Sequence, residues 1–502
     1  MKDYDCIVIG AGMAGLSAAL KLAACGKKVL VLEKQPVAGG VGTSFKRKGF
    51  TFESCLHFVD DLMPGGEVRD FLDKYGVSEK VEYIKLNEFG RVVYPDHDFV
   101  VGNDFESLKL WLDDNFPQDK TGIDEFFRSI TKFYKQFDHF MHAKIPLWLK
   151  LVISPLAYPL IVKTSCLTLE QFIPKKIKDK RARSIIGTIW GFVGLPPSEL
   201  SAFYFLIVLR GCWGAETAYI KGGFGKLFSA MAERIKEYGS EVNFNTTVTQ
   251  IITENGGKVV GVRTAKGEEF RAKVIISNAN AIDTLTKLVD SDSVKIGYVK
   301  SFSSMQKSVS AFTLYLGLDV PAKDLGMRCP LLSISPGYDH DESFKACLDG
   351  DYSRASFALV DHSQLDPGLA PQGKAALSLM TFADYALWGN LDAEGYAKKK
   401  LETAEAIVAV LEKYLPGLSK HIEYMEAATP KTMARYATLP EGAVYCFAQS
   451  VGQSSINRFP QKTKVKGLLL AGAWTSPGCG IHGCFVSGDE AADLALRQLR
   501  NS

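Results

Sequence analysis

Missing from the 502-residue sequence is an unbroken apolar run of the about twenty residues needed to cross a bilayer. The run at 145–162, IPLWLKLVISPLAYPLIV, is interrupted by Pro146, Pro155 and Pro159 and carries Lys150, so it is not expected to span. An excess of charge of one sign is also missing: 59 basic residues face 56 acidic ones, which leaves no electrostatic footprint for nucleic acid. The ten cysteines form no CxxC pair and no zinc-ligand spacing, so reduced thiols and no metal site are expected. Neither an internal repeat nor a low-complexity segment occurs. The N-terminus passes from MKDYD straight into an apolar run, which predicts no cleavable leader and a cytoplasmic location. Nothing resembles a Ser-His-Asp triad, a carboxylate pair or a metal cluster. What length and composition do allow is a chain of two or more domains with a large core.

Glycine is what the sequence does have, and at telling places. In DCIVIGAGMAGLSAALKLAACGKKVLVLEK, residues 5–34, Tyr4 to Ile9 reads as a buried strand and Met13 to Cys25 as a helix ended by Gly26. Lys28 to Leu32 reads as a second strand, closed by Glu33. This is a βαβ unit with G-x-G-x-x-G at Gly10, Gly12 and Gly15. Gly10 allows the tight turn, Gly12 lets a pyrophosphate approach the backbone, and Gly15 lets helix and strand pack closely. The helix N-terminus offers free N–H groups to phosphate. Glu33 stands where a carboxylate accepts from both ribose hydroxyls and repels a 2′-phosphate. Ala14 and Lys34 are counted with this set. The ligand is a dinucleotide, NAD or FAD.

The next residues favour FAD. VAGGVGTSFKRKGFTFES follows the second strand with Gly39, Gly40 and Gly42, then an extended run from Gly49 to Glu53. A simple NAD dehydrogenase would proceed to another βα pair, whereas this text resembles the large flavoprotein superfamily, in which the loop wraps FAD and leads a strand past the flavin ring. Residues 241–280 read as a meander of short strands, turning at Asn255-Gly256-Gly257 and at Lys266-Gly267 and returning to a buried strand at Val274 to Ser277. In that superfamily similar text lies beneath the adenine, which implies a backbone contact at Val248. GLLLAGAWTSPGCGIHGCFVSGDEAADLAL, residues 467–496, is strand, glycine-rich turn and helix. It would set Gly472, Ala473 and Gly480 against the pyrophosphate and ribityl chain, with a helix N-terminus aimed at the flavin edge.

Taken in order, GAGMAGL, EKQPVAGGVGTSF, GFTFES, YIKGGFGKLFSAMAERI and LAGAWTSPGCGIHGCFVSG resemble the phytoene desaturase family, with its relatives carotenoid isomerase and retinol saturase. The resemblance covers both ends and the centre of the chain and does not separate the members. His57 is similar to the retinol saturase version of its strand, while TSPGCGIHG is closer to the bacterial desaturases. Two departures stand out. Gly-Gly-Val replaces the more usual Gly-Gly-Arg, which puts an arginine contact to the flavin in doubt, and Glu53 stands where aspartate is usual.

The implied fold is α/β: a Rossmann-like FAD-binding domain of the glutathione-reductase type, with an inserted substrate domain and a membrane-associating helical region. Residues 1–60, 220–285 and 440–502 are assigned to the FAD-binding domain. Residues 61–219 and 286–439 are assigned to the substrate-binding and membrane-associating regions. The apolar run at 145–162, followed by the basic cluster KKIKDKRARS at 175–184, suggests a patch that dips into one leaflet with cations flanking it, a peripheral membrane contact. FYFLIVLRGCWG, 203–214, is expected to build the substrate cavity.

The chemistry implied is FAD-dependent oxidoreduction at carbon–carbon bonds of a polyene or isoprenoid lipid by desaturation, saturation or cis-trans isomerisation, with hydride exchange at flavin N5. No second nucleotide fingerprint occurs, so the electron partner is a quinone, oxygen or a separate reductase. Glu53 and His57 lie four apart and, in an extended strand, share a face. Together they are candidates to hold or deliver a proton. His482 is a second candidate donor. Cys479 sits where some amine oxidases bind flavin covalently, but its surroundings differ and FAD is expected to be non-covalent. Two other readings of the fold are a flavin amine oxidase and a non-enzymatic lipid-binding chaperone.

Overall fold

The computed structural model describes residues 3–214, 216–254 and 257–500, without the side chains of Leu147, Ser293 and Ile456. The expected turn at Asn255-Gly256 lies outside the described residues.

The strand Asp3–Ile9 is buried from Cys6 onward and feeds the helix Met13–Ala24 through Gly10, whose φ of 94° only glycine adopts at no steric cost. Gly26 (φ 74°) turns the chain out of that helix into the fully buried strand Val29–Leu32. These strands are the middle of the first sheet, whose order is Glu241–Asn243, Val29–Leu32, Asp3–Ile9, Glu269–Ser277, Lys258–Thr264, Val248–Glu254. Leu468–Leu470 also pairs with Glu269–Ser277. The strands that carry the βαβ unit run parallel, and the meander 248–277 pairs antiparallel. Parallel strands covered by helices bury both faces, which is why they read as continuous Val, Ile and Leu. On one face the C-terminal helix Ile481–Arg500 packs against Met13–Ala24 so closely that a Cβ on Gly488 would run into the Ala14 carbonyl.

A second seven-stranded sheet runs Ile422–Ala428, Ser310–Leu318, Ala375–Ala383, Phe357–Asp361, Leu331–Ile334, Glu88–Val93, Asp98–Gly102. It is antiparallel except where Leu331–Ile334 meets Glu88–Val93, so both stretches expected to bind substrate contribute strands to it. The long helix Lys120–His142 and the helix Ala202–Trp213 belong to the same core as this sheet. No helix among the described residues is long and apolar enough to cross a membrane. The run at 145–162 forms instead the helix Leu147–Ala157, with Pro155 inside it, and the start of the helix Pro159–Ser165.

Candidate functional site

The glycine turn is built as its spacing requires. A Cβ on Gly15 would collide with the Gly10 carbonyl, and one on Gly12 would lie 2.9 Å from the side-chain amide of Asn278. Asn278, at the end of the strand Glu269–Ser277, faces the first turn of the helix with its amide oxygen 3.3 Å from the Gly12 N–H and 3.2 Å from the Gly15 N–H. No spacing motif marks it; its signal in the sequence is a polar residue directly after a buried strand. Across from Gly12, Gly39 (φ 117°) and Gly40 (φ 59°) bring the next loop alongside, and the Gly39 N–H donates to the Ala11 carbonyl at 2.8 Å.

Glu33 is buried, and its carboxylate accepts the Ala11 N–H at 2.7 Å and the Gln35 N–H at 2.8 Å. One amide on each oxygen fixes the carboxylate and leaves further lone pairs for ribose hydroxyls. The Thr246 N–H donates to the Glu33 carbonyl at 2.8 Å, which lays the segment leading to Val248 beside the acid. Lys34 reaches Thr438 Oγ1 at 2.7 Å, and burial lowers its pKa. From the other end of the chain, the Ala471 N–H donates to the Ser277 carbonyl and the Gly472 N–H to Ser487 Oγ, which joins the turn at 472–480 to the same sheet edge. Buried carboxylate, glycine-lined backbone and the first turn of the helix Met13–Ala24 converge, and this donor set suits an adenine dinucleotide.

The expected strand-face pair does not form. The strand Phe50–Glu53 ends at Glu53, and Ser54 to Leu56 bend away from it, so Glu53 and His57 share no strand face. The physical reason is what Glu53 binds. The Tyr219 hydroxyl (2.6 Å) and the Phe224 N–H (3.0 Å) donate to one oxygen, and the Ser44 hydroxyl (2.9 Å) donates to the other. Phe224 opens the helix Phe224–Glu237, so Glu53 caps that helix from a distant part of the chain. Burial raises the Glu53 pKa, and the three donors oppose the rise.

His57 is 8 % exposed, and neither ring nitrogen has a partner among the described residues. Burial pushes its pKa down to about 4. Its ring stacks on His362, with centroids 6.0 Å apart, and the His362 Nε2 lies 3.2 Å from the Leu56 carbonyl. Burial also lowers His362, to about 3, helped by His57 and opposed by that carbonyl. His57 lines a narrow cavity with Trp190, Phe192, Phe357, Met380 and Phe382, and it is the one ionisable side chain among the lining residues.

His482, in the first turn of the C-terminal helix, faces carboxylates: Nε2 lies 3.1 Å from Glu67 and Nδ1 3.5 Å from Asp61. Burial alone would lower its pKa, but the bond to Glu67 and the charges of Asp60, Asp61 and Glu67 raise it to about 9. At neutral pH it is an imidazolium that ties the loop at 60–67 to this helix. Cys479 accepts the Tyr204 hydroxyl at its carbonyl (2.8 Å).

The helix Leu147–Ala157 exposes Trp148 (66 %), Val152 (69 %) and Leu156 (92 %), with Leu151 beside them, at helical spacing on one face. Two members of the basic cluster at 175–184 are held in ion pairs. Lys176 pairs with Glu125 near the start of the helix Lys120–His142, whereas Lys150 binds the carbonyls of Phe140 and Met141 near its end. The two anchor points are 15 residues apart in one helix, about 22 Å. Arg181 is taken up by Asp179 and Asp96.

Residues 13–496 match the model of the flavin containing amine oxidoreductase family. The chain is 30 % identical to the chloroplastic prolycopene isomerase of Daucus carota, over 99 % of this chain and 81 % of that protein. It is 27 % identical to the all-trans-retinol 13,14-reductase of Danio rerio, over 99 % of this chain and 86 % of that one. Among solved structures, the cyclohexylamine oxidase of Brevibacterium oxydans superposes with a TM-score of 0.64 at 16 % identity, covering 99 % of this chain and 100 % of that one. At that identity the likeness speaks for the fold alone.

Proposed function

The chain belongs to the flavin containing amine oxidoreductase family and is an FAD-dependent oxidoreductase, and from that premise we propose that it acts on carbon–carbon bonds of a polyene or isoprenoid lipid. The observation that carries the substrate class is the cavity beside His57. Its walls combine aromatic and thioether side chains with the neutral hydroxyl residues Thr188, Ser333, Ser335, Ser356 and Thr381, no carboxylate is among the lining residues, and the one ionisable group is held neutral. A cationic amine would meet no counter-charge there, whereas a hydrocarbon chain needs only shape and exclusion of water. The two curated relatives are named for reactions on conjugated polyenes, which points the same way.

In this reading Gly10, Gly12, Ala14, Gly15, Glu33, Lys34, Gly39, Gly40 and Val248 hold the adenosine and pyrophosphate side of FAD. Gly472, Ala473 and Gly480 hold the ribityl side. When bound, FAD supplies hydride exchange at N5 with a carbon of the substrate. His57, neutral with one N–H and one lone pair, holds or passes the proton at the adjacent carbon. Trp190, Phe192 and Phe382 keep water from that carbon. Desaturation removes a hydride and a proton and leaves two electrons for a quinone, oxygen or a reductase; saturation is the reverse, and isomerisation needs no net transfer.

The exposed face of Trp148, Leu151, Val152 and Leu156 supports docking on a lipid leaflet, with Lys144 and Lys163 as the exposed cations near it in sequence. Such docking suits a substrate that dissolves only in lipid. The test of the activity is to express the chain with candidate polyenes, extract the lipids, and compare mass and isomer composition with those from a Gly12→Leu strain. A product that appears only with the wild-type chain supports the reading, and identical extracts refute it.

A further inference from the structure

Arg458 is a buried cation with no anionic partner among the described residues. It is 4 % exposed. Its Nη1 donates to the carbonyls of Phe447 (2.7 Å) and Ala448 (3.4 Å), and its Nη2 donates to the carbonyl of Ala473 (2.6 Å). Nε has no partner, the Phe447 ring lies 5.9 Å away, and no carboxylate pairs with the guanidinium among the described residues. Removing a guanidinium from water costs several kcal/mol, and buried charges are ordinarily paired. Carbonyl dipoles offset part of that cost and leave the full positive charge in place. Its field falls on Tyr204, Cys446 and Cys484, which border the turn at 472–480 and are themselves neutral. Ala473, whose carbonyl Arg458 holds, is in that turn, and the neighbouring Gly472 N–H donates to Ser487 of the C-terminal helix.

We propose that Arg458 is a positioning and charge-setting residue of the cofactor site, which fixes the Gly472–Gly480 turn and supplies the positive field that favours reduction of FAD. The inference rests on the assignment of that turn to FAD. Reduction by two electrons with uptake of one proton adds one negative charge to the cofactor, and an uncompensated cation nearby stabilises that charge in a low-dielectric interior. FAD also brings a pyrophosphate dianion, so the same cation strengthens binding.

The test uses the holoprotein and Arg458→Met, Arg458→Gln and Arg458→Lys. Midpoint potentials are measured by dithionite titration with a reference dye, and FAD affinity by equilibrium dialysis. The neutral variants should shift the oxidised-to-reduced equilibrium at least tenfold toward the oxidised form, about 30 mV for a two-electron couple. Arg458→Lys, which keeps the charge and loses the three-carbonyl grip, should stay within about threefold of wild type. Should both neutral variants lose FAD while Arg458→Lys keeps it, the charge requirement appears as affinity and the proposal stands. Unchanged potentials in FAD-loaded neutral variants would overturn it, as would equal shifts in all three variants or loss of FAD from all three. A wild-type chain that binds no FAD would fail the assignment itself, a distinct result.

Discussion

The imidazole of His57 stacks on that of His362 at 6.0 Å with planes inclined by 25°, and Tyr219 lies 5.6 Å beyond His362 with its hydroxyl on Glu53. The two residues proposed from the sequence as one acid–base pair thus stand at opposite ends of a stacked row. One ends in an unpartnered ring in the cavity and the other in a capped helix. Their substitutions should behave differently.

His57→Ala should keep its FAD and its melting temperature and lose about a hundredfold to ten-thousandfold in turnover, the range that a positioned general acid–base group supplies. Steady-state rates and a thermal melt on the same preparation decide this. A near-normal rate would remove the imidazole from desaturation or saturation and leave isomerisation.

Glu53→Gln should act on stability. The carboxylate accepts from three buried donors, so replacing it should cost about 1–3 kcal/mol while turnover per FAD-loaded molecule falls no more than severalfold. Urea unfolding measures the first and single-turnover rates the second. Lost turnover at unchanged stability would return Glu53 to the chemistry.

Acid should unfold the protein through its buried histidines. His57 and His340 have folded-state values near 4 and His362 one near 3, all depressed by burial, against about 6.5 in an unfolded chain. The unfolded state therefore binds more protons below about pH 6.5, and stability is full above that value and is lost as pH falls toward 4. His362→Phe should flatten that slope between pH 6 and pH 4. An unaltered slope would show that His362 does not stay neutral in the folded state.

How much of this was legible follows from the range of the forces involved. Gly10, Gly12, Gly15 and Glu33 could be read because a tight turn and a close backbone approach specify residue types within a few positions of one another. The end of the strand at Glu53 could not, since it is set by Tyr219 and Phe224, far along the chain. Asn278 and Arg458 escaped for the same reason: each acts on a glycine turn that only the folded sheet brings near. The basic cluster at 175–184 was visible, and Asp179 lies within it, but its distant partners Glu125 and Asp96 were not assignable without the fold. The apolar run at 145–162 was recognised, and its exposed face depends on which side the helix Lys120–His142 covers.

The lipid-facing reading of the helix Leu147–Ala157 gives a direct experiment. Trp148→Ser, Val152→Ser and Leu156→Ser together should reduce sedimentation with anionic liposomes at least tenfold, because each buried apolar side chain contributes on the order of 1.5–3 kcal/mol. Raised salt should weaken wild-type binding without abolishing it. Recovery of wild type in the supernatant regardless of liposomes would contradict the docking face.

The central claim, an FAD enzyme for polyene carbon–carbon bonds, is tested most directly by incubating purified FAD-loaded protein with a cis-configured carotene and with a retinoid, in parallel with a primary amine. Mass, isomer composition and peroxide release are followed, with His57→Ala and FAD-free Gly12→Leu protein as controls. The account predicts a polyene product changed by two hydrogens or in double-bond geometry, absent with the FAD-free control, and no peroxide from the amine. Unchanged polyenes together with amine-dependent peroxide would contradict it.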